Sequence, residues 1–294
     1  MHRSKFFIAG ALIAAAIAAS GPVRGNAAEY ANPHMLVSPA TLNSMLSRVN
    51  VRVIDVRSEK DYEAGHIPGA LNITADAVND PNAHVPGARL SDEKLAALFG
   101  SRGIGKDTHV VLYDDRGGFL ASRLFWMLEY LGQQKVSILN GGIQKWTADG
   151  HKLSLDTPKV QPAPFTPTPM ERRHATADWL LERRSDANVV VIDVRPAALY
   201  QKGHIPWARS IPWAMNLKPD GTMKSADELR KHFAAQGVTP DKNVATHCMD
   251  GKASGQTYFT LRLLGYPRLR SYDRSWAEWG MLDDLPKTVP GSRG

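Results

Sequence analysis

The chain has a single cysteine, Cys248, among 294 residues. One thiol cannot close an intramolecular disulfide, and it excludes any zinc or iron–sulfur centre built on several cysteines. Long apolar runs are equally scarce: the one present is Phe6 to Ala19, fourteen residues, so a multi-span membrane protein is excluded. Charge of one sign is not in large excess, with 36 Lys and Arg against 29 Asp and Glu. Hydrophobic residues at 43% and charged residues at 22% are ordinary globular values and exclude a mostly disordered chain. At about 150 residues per domain the length suggests two domains.

The apolar run follows His2, Arg3 and Lys5 and precedes Gly25-Asn26-Ala27-Ala28. A basic start, a short apolar stretch and small residues make residues 1–28 a secretory signal peptide, cut near Ala27 or Ala28. The mature protein is then periplasmic or secreted, with no membrane attachment. Removing Arg3, Lys5 and Arg24 from the 36 basic residues leaves 33 against 29 acids, a formal +4. Those charges lie in scattered pairs such as Arg172-Arg173 and Arg183-Arg184. No nucleic-acid partner is expected from so mild an excess. A lone thiol in an oxidising compartment is either buried and inert or chemically used.

The chain repeats itself. Val53-Ile54-Asp55-Val56-Arg57, Tyr62 and Gly65-His66-Ile67-Pro68 recur as Val191-Ile192-Asp193-Val194-Arg195, Tyr200 and Gly203-His204-Ile205-Pro206, at an offset of 138. Leu95, Phe99 and Gly103 recur as Leu229, Phe233 and Gly237 at 134, and Trp146 recurs as Trp279 at 133. A repeat this long is a duplicated domain rather than a solenoid unit. Between the copies, residues 156–174 carry Pro158, Pro162, Pro164, Pro167 and Pro169. Proline at that density stays extended, so this stretch is the linker between an N-terminal domain (29–155) and a C-terminal domain (175–294).

Each copy alternates short apolar strands with helical segments, which predicts an α/β fold with a parallel sheet. Strands are expected at 52–56, 109–113 and 136–139, and again at 189–194, 243–247 and 269–272. Helices are expected at 91–99 and 226–234, with Ser91 and Ser225 as N-caps. Strongly amphipathic helices are expected at 121–131 and 255–264. Cys248 then stands at the carboxyl end of a strand, where open α/β sheets build their sites. The loop Met249-Asp250-Gly251-Lys252-Ala253-Ser254 runs from it into a helix N-terminus. Backbone N–H groups there favour an anion, which makes Cys248 a thiolate nucleophile. The alternative is a small buried core residue.

The Asp55–Ala70 pattern, Cys248-x-x-Gly251, Leu139–Trp146 and Tyr272–Gly280 together resemble the rhodanese sulfurtransferases, over nearly all of residues 35–285. The resemblance is to the tandem type, in which the N-terminal copy is catalytically silent. It implies two rhodanese-like domains, each a parallel-stranded sheet flanked by helices. Offsets of 134 and 133 place Asp114 or Asp115 opposite Cys248, and neither carboxylate can carry sulfane sulfur.

The implied chemistry is a double displacement that needs no metal and no organic cofactor. Cys248 takes the outer sulfur of a small anionic donor, thiosulfate or 3-mercaptopyruvate, and passes it from a persulfide to cyanide or a thiol. The loop 249–254 would stabilise the persulfide. Arg195 would bind the donor, as its guanidinium suits a multi-oxygen anion, although Arg57 in the silent copy makes a pairing with Asp193 the competing role. Lys252 would also meet the donor, with Asp250 opposing it. His66 and His204 are expected to hold turns, and His247 to point away from the thiol. Thiosulfate-type members carry two cations directly after the cysteine and mercaptopyruvate-type members small neutral residues; Met249-Asp250 fits neither. Leu199 stands where the mercaptopyruvate type has a second arginine. A cysteine phosphatase is disfavoured, because Ser254 stands where a Cys-x5-Arg loop needs arginine. A persulfide carrier or redox-sensing module serving an acceptor protein, and a degenerate binding domain, stay open.

Overall fold

The computed structural model describes residues 29–289, so the expected signal peptide lies outside the described residues. The first domain runs β1 (Leu36–Val37), α1 (Pro39–Met45), β2 (Val51–Asp55), α2 (Glu59–Glu63), β3 (Leu71–Asn72), α3 (Asp92–Ser101), β4 (His109–Tyr113), α4 (Ala121–Tyr130), β5 (Val136–Leu139) and α5 (Gly142–Ala148). Its sheet has the order β1-β5-β4-β2-β3, with every pair parallel. The second domain runs α6 (Ala177–Glu182), β6 (Val189–Asp193), α7 (Ala197–Lys202), β7 (Ala208–Ser210), α8 (Ala226–Ala235), β8 (Asn243–His247), α9 (Ser254–Leu263), β9 (Leu269–Ser271) and α10 (Ser275–Trp279). Its parallel sheet has the order β7-β6-β8-β9. Helices cover both faces of each sheet, so β2, β4, β6 and β8 are buried along nearly their whole length.

The longer elements lie where their apolar periodicity places them. The Ser91 and Ser225 side chains cap α3 and α8, and Ser225 with Glu228 completes a capping box. Two readings need correction. The turns at Gly65 and Gly203 are preceded by short helices, α2 and α7, which the sequence pattern did not reveal. Further, α4 and α9 are not amphipathic in their setting. All ten residues of α4 and nine of ten in α9 are buried, because each packs its second face on the other domain.

That contact joins the domains. Phe125 meets Phe259 edge to face at 4.9 Å, and one apolar core runs through both sheets. Glu129 of α4 accepts from Tyr258 and, at 2.7 Å, from Arg262 Nε of α9. Gly255 allows the backbones to touch: a Cβ there would lie 2.7 Å from the Arg123 nitrogen. Residues 156–170 form no helix or strand. They lie along the first domain, where Ala163 N–H donates to the Gly100 carbonyl and Thr168 N–H to that of Leu131. No described helix is long and apolar enough to cross a membrane.

Candidate active site

β4 and β8 are interior strands of their sheets, and a loop leaves the carboxyl end of each for a fully buried helix. The sheet register settles which residue of the first copy matches the thiol. Asp55 pairs with Tyr113 and Asp193 with His247, so the next residues, Asp114 and Cys248, correspond. The carbonyls agree: Asp114 accepts from Ile143 N–H at 3.0 Å, and Cys248 accepts from Trp276 N–H at 3.1 Å.

Asp114 shows what such a loop binds. Its Oδ1 accepts N–H bonds from Arg116 and Gly118 at 2.8 and 2.9 Å. Its Oδ2 accepts from Leu120 and Ala121 at 2.6 and 2.9 Å. Burial holds its carboxyl above the ordinary value, with these four backbone bonds opposing that shift. The first-domain loop is therefore an anion cradle filled by its own side chain.

The second domain has sulfur at that position. Cys248 is 1% exposed and its loop, one residue shorter, reaches α9 at Ser254. Among the described residues, the N–H groups of Gly251, Ala253 and Ser254 donate to no other backbone group. Gly251 takes a left-handed turn with φ +83, and a Cβ there would lie 2.4 Å from the Asp273 carbonyl oxygen. Thr246 and Ser254 tie the loop down: Thr246 Oγ1 donates to the Ser254 carbonyl, and Ser254 Oγ to that of Gly251.

Ser275 is a site residue that sequence reasoning missed. Its hydroxyl accepts the Cys248 N–H at 3.0 Å and lies 3.8 Å from Sγ. It is the one described non-glycine residue with positive φ, at 55. The matching residue of the first domain is Gly142, with φ 58. A serine held where the fold prefers glycine costs about 1 kcal/mol or more. The exchange of glycine for serine between the copies was the available signal.

The two expected donor-binding cations, Arg195 and Lys252, are both paired with carboxylates. Arg195 Nε and Nη2 bond the Asp193 carboxylate, Nη2 also donates to the Gly203 carbonyl at 2.7 Å, and the guanidinium sits over the Trp276 ring. Arg57 makes the same bonds to Asp55 and Gly65 in the first domain. This geometry ties the turn to the strand end, and it is the pairing with Asp193 that stood beside donor binding as the competing role for Arg195. Lys252 Nζ lies 2.8 Å from Asp76 of the first domain and 3.7 Å from Asp250. Its charge is spent across the domain interface, at the edge of a cleft of about 270 Å³ that Arg57, Asp76, Arg116 and Phe119 also line. Met249 is 39% exposed beside the buried thiol.

The histidines hold structure. His66 and His204 stack on Tyr62 and Tyr200 and place Nδ1 near those tyrosines' carbonyls. His247 is fully buried, away from the sulfur. Its Nδ1 lies 3.4 Å from the Cys248 carbonyl and its Nε2 3.7 Å from Asp193. Burial holds the His247 imidazole below its ordinary value, with Asp193 opposing. Such a depressed value leaves stability intact above the unfolded histidine value of about 6.5 and removes it as pH falls below that. The first domain has Tyr113 at this position, bonded to Asp55 at 2.6 Å. His247→Tyr should therefore fold and lose less melting temperature between pH 7 and pH 5 than the parent. An unchanged pH dependence would refute the assignment to His247. Asp273, beside Ser275, is buried, yet its bond to His174 and the charges of His174, Arg89 and Arg123 hold its carboxyl below the ordinary value.

Comparison with known proteins follows the same lines. The family described as Rhodanese-like domain matches residues 38–149 and 176–282. A Thermus thermophilus protein named sulfur carrier protein TtuD is 37% identical, over 87% of this chain and 97% of its own length. The Azotobacter vinelandii thiosulfate sulfurtransferase is 33% identical, over 88% and 98%. The crystal structure of SseA from Escherichia coli, titled a 3-mercaptopyruvate sulfotransferase with the rhodanese fold, superposes with a TM-score of 0.77 at 28% identity. It covers 82% of this chain and 98% of SseA.

Proposed function

The chain belongs to the rhodanese family, as two such domains in tandem, and from that premise we propose that it is a sulfurtransferase whose sulfur is carried on Cys248. The observation that carries this reading is the Asp114 carboxylate. In the sister loop four backbone N–H groups converge on one side-chain carboxyl in a dry site, and at the matching position this domain offers a thiol.

The first step is attack of the Cys248 thiolate on the outer sulfur of thiosulfate. The sulfur–sulfur bond of the donor breaks, sulfite leaves with the electron pair, and a persulfide anion remains on Cys248. The N–H groups of loop 249–254 and the N-terminus of α9 stabilise that anion. A nucleophilic acceptor, cyanide or a thiol, then bonds to the terminal sulfur and releases the thiolate. With 3-mercaptopyruvate the leaving group is the pyruvate carbanion, which protonates. Ser275 positions the nucleophile: its hydroxyl accepts the Cys248 N–H at 3.0 Å and donates to the Tyr272 carbonyl at 2.9 Å, with Sγ 3.8 Å away. Ser275→Gly should relieve backbone strain and keep or raise the melting temperature, while transfer to cyanide falls about tenfold, because the Cys248 N–H loses its acceptor and the nucleophile its fixed position. Unchanged turnover would remove Ser275 from the site.

A second reading is favoured by one observation: a buried thiol beside the exposed apolar Met249 suits delivery to a docked protein, and the Thermus relative is named a sulfur carrier. Initial rates with thiosulfate and with 3-mercaptopyruvate, each with cyanide, separate the two. Turnover with thiosulfate at least tenfold better than with 3-mercaptopyruvate is the expected result. Sulfur uptake without turnover by either donor supports the carrier, and no uptake refutes both. A signal peptide at residues 1–28 would put this activity outside the cytoplasm, which the N-terminal sequence of the exported protein would test.

A further inference from the structure

An anionic donor needs positive charge, and the two expected cations are engaged: Arg195 by Asp193 and Gly203, Lys252 by Asp76 and Asp250. The first domain holds a third. Arg123 of α4 is 1% exposed, and its Nη2 donates to the Gly87 carbonyl. Its Nε and Nη1 are buried and have no acceptor among the described residues. Buried guanidinium donors left without acceptors are costly, and an anion arriving from outside the chain would satisfy them.

The packing puts this cation against the Cys248 loop. Gly87, which accepts from Arg123, touches the loop: a Cβ there would lie 2.5 Å from the Asp250 carbonyl oxygen. The Arg123 backbone touches Gly255, where the loop becomes α9. Arg123 thus touches the end of the loop directly and reaches its first turn through Gly87. Burial works against its charge, and Asp273, Asp250, Cys248 and Asp76 support it, in that order.

We propose that Arg123, from the domain that lacks the thiol, binds the oxyanion end of the sulfur donor at Cys248. The chemical class is a small oxyanion: the sulfonate group of thiosulfate, the sulfite it becomes, or the carboxylate of 3-mercaptopyruvate. The assignment rests on the reading of Cys248 as the sulfur site. It makes the first domain a contributor to the reaction and explains why its α4 is pressed so closely on α9.

The test is anion binding to the full-length Cys248→Ser variant, which cannot take up sulfur. Titration calorimetry with sodium thiosulfate and with sodium sulfite, ionic strength balanced with sodium chloride, gives the reference affinities. Adding Arg123→Met should weaken both about tenfold or more. Adding Arg123→Lys, which keeps the charge but loses the fork, should weaken them about threefold. Circular dichroism and the ligand-free melting temperature check each fold, and the lysine variant decides should the methionine variant not fold. Unchanged affinity without the guanidinium overturns the proposal, as does a reference that binds neither anion. Arg123-dependent binding in a protein whose wild-type form acquires no sulfur would uphold the anion site and reject the sulfurtransferase reading alone.

Discussion

Cys248→Ala abolishes sulfur transfer and leaves the fold in place. Loss of a covalent nucleophile costs on the order of 10⁶ in kcat where such a group has been removed from an enzyme, so turnover should fall to near the uncatalysed background. No other thiol exists in the chain to substitute. The stability effect is small by comparison. Cys248 belongs to the core shared by the domains, and loss of its sulfur should cost of order 1 kcal/mol. Steady-state thiosulfate:cyanide assays beside a melting curve check both. Residual transfer within tenfold of the parent in a folded variant would mean that sulfur moves without a covalent intermediate.

Asp114→Ala gives the opposite profile, with large damage to stability in a residue that touches no substrate. Four backbone N–H groups, two of them at the start of α4, lose their acceptor in a fully buried place. Each unsatisfied donor costs about 1–3 kcal/mol. The terms are not additive, and removing one partner of a buried charged contact typically costs about 3–5 kcal/mol in all. Against a usual total of about 5–15 kcal/mol, that threatens the fold at ordinary temperature. Asp114→Asn keeps one oxygen and turns a donor toward the other pair of N–H groups, so it should fall between. Urea midpoints for the three proteins measure the series. An alanine variant within 1 kcal/mol of the parent would show that the cradle does not depend on its anion, and would remove the main support for reading the Cys248 loop as an anion site.

The duplication was fully legible, because both copies keep Asp-x-Arg and Gly-His-Ile-Pro in register. The longer strands and the Ser91 and Ser225 caps were legible for local reasons, apolar runs and capping chemistry. The two-residue strands β1 and β3 and the short helices α2 and α7 were not, since elements of two to six residues carry too few positions to show a period. The surroundings of α4 and α9 were misread because a helix sequence does not show what covers its polar side. The same limit hid the site. Cys248 stood out by being alone at a strand end, but Asp114 and Asp115 could be separated only by the pairing of Asp55 with Tyr113. The Asp193 pairing of Arg195 was legible in its repetition as Arg57, a strut that both domains share. Ser275 required noticing that Gly142 and Ser275 share one backbone conformation. Arg123 left no local trace, since its importance arises from the packing of one domain on the other.

The intact mass of the full-length mature protein, before and after thiosulfate and again after cyanide, tests the central claim most directly. A gain of one sulfur atom, lost on adding cyanide and absent in Cys248→Ala, is the expected result. A folded protein whose mass does not change with thiosulfate or 3-mercaptopyruvate, or one that gains sulfur equally in the alanine variant, would contradict the assignment of Cys248 as the sulfur-carrying residue.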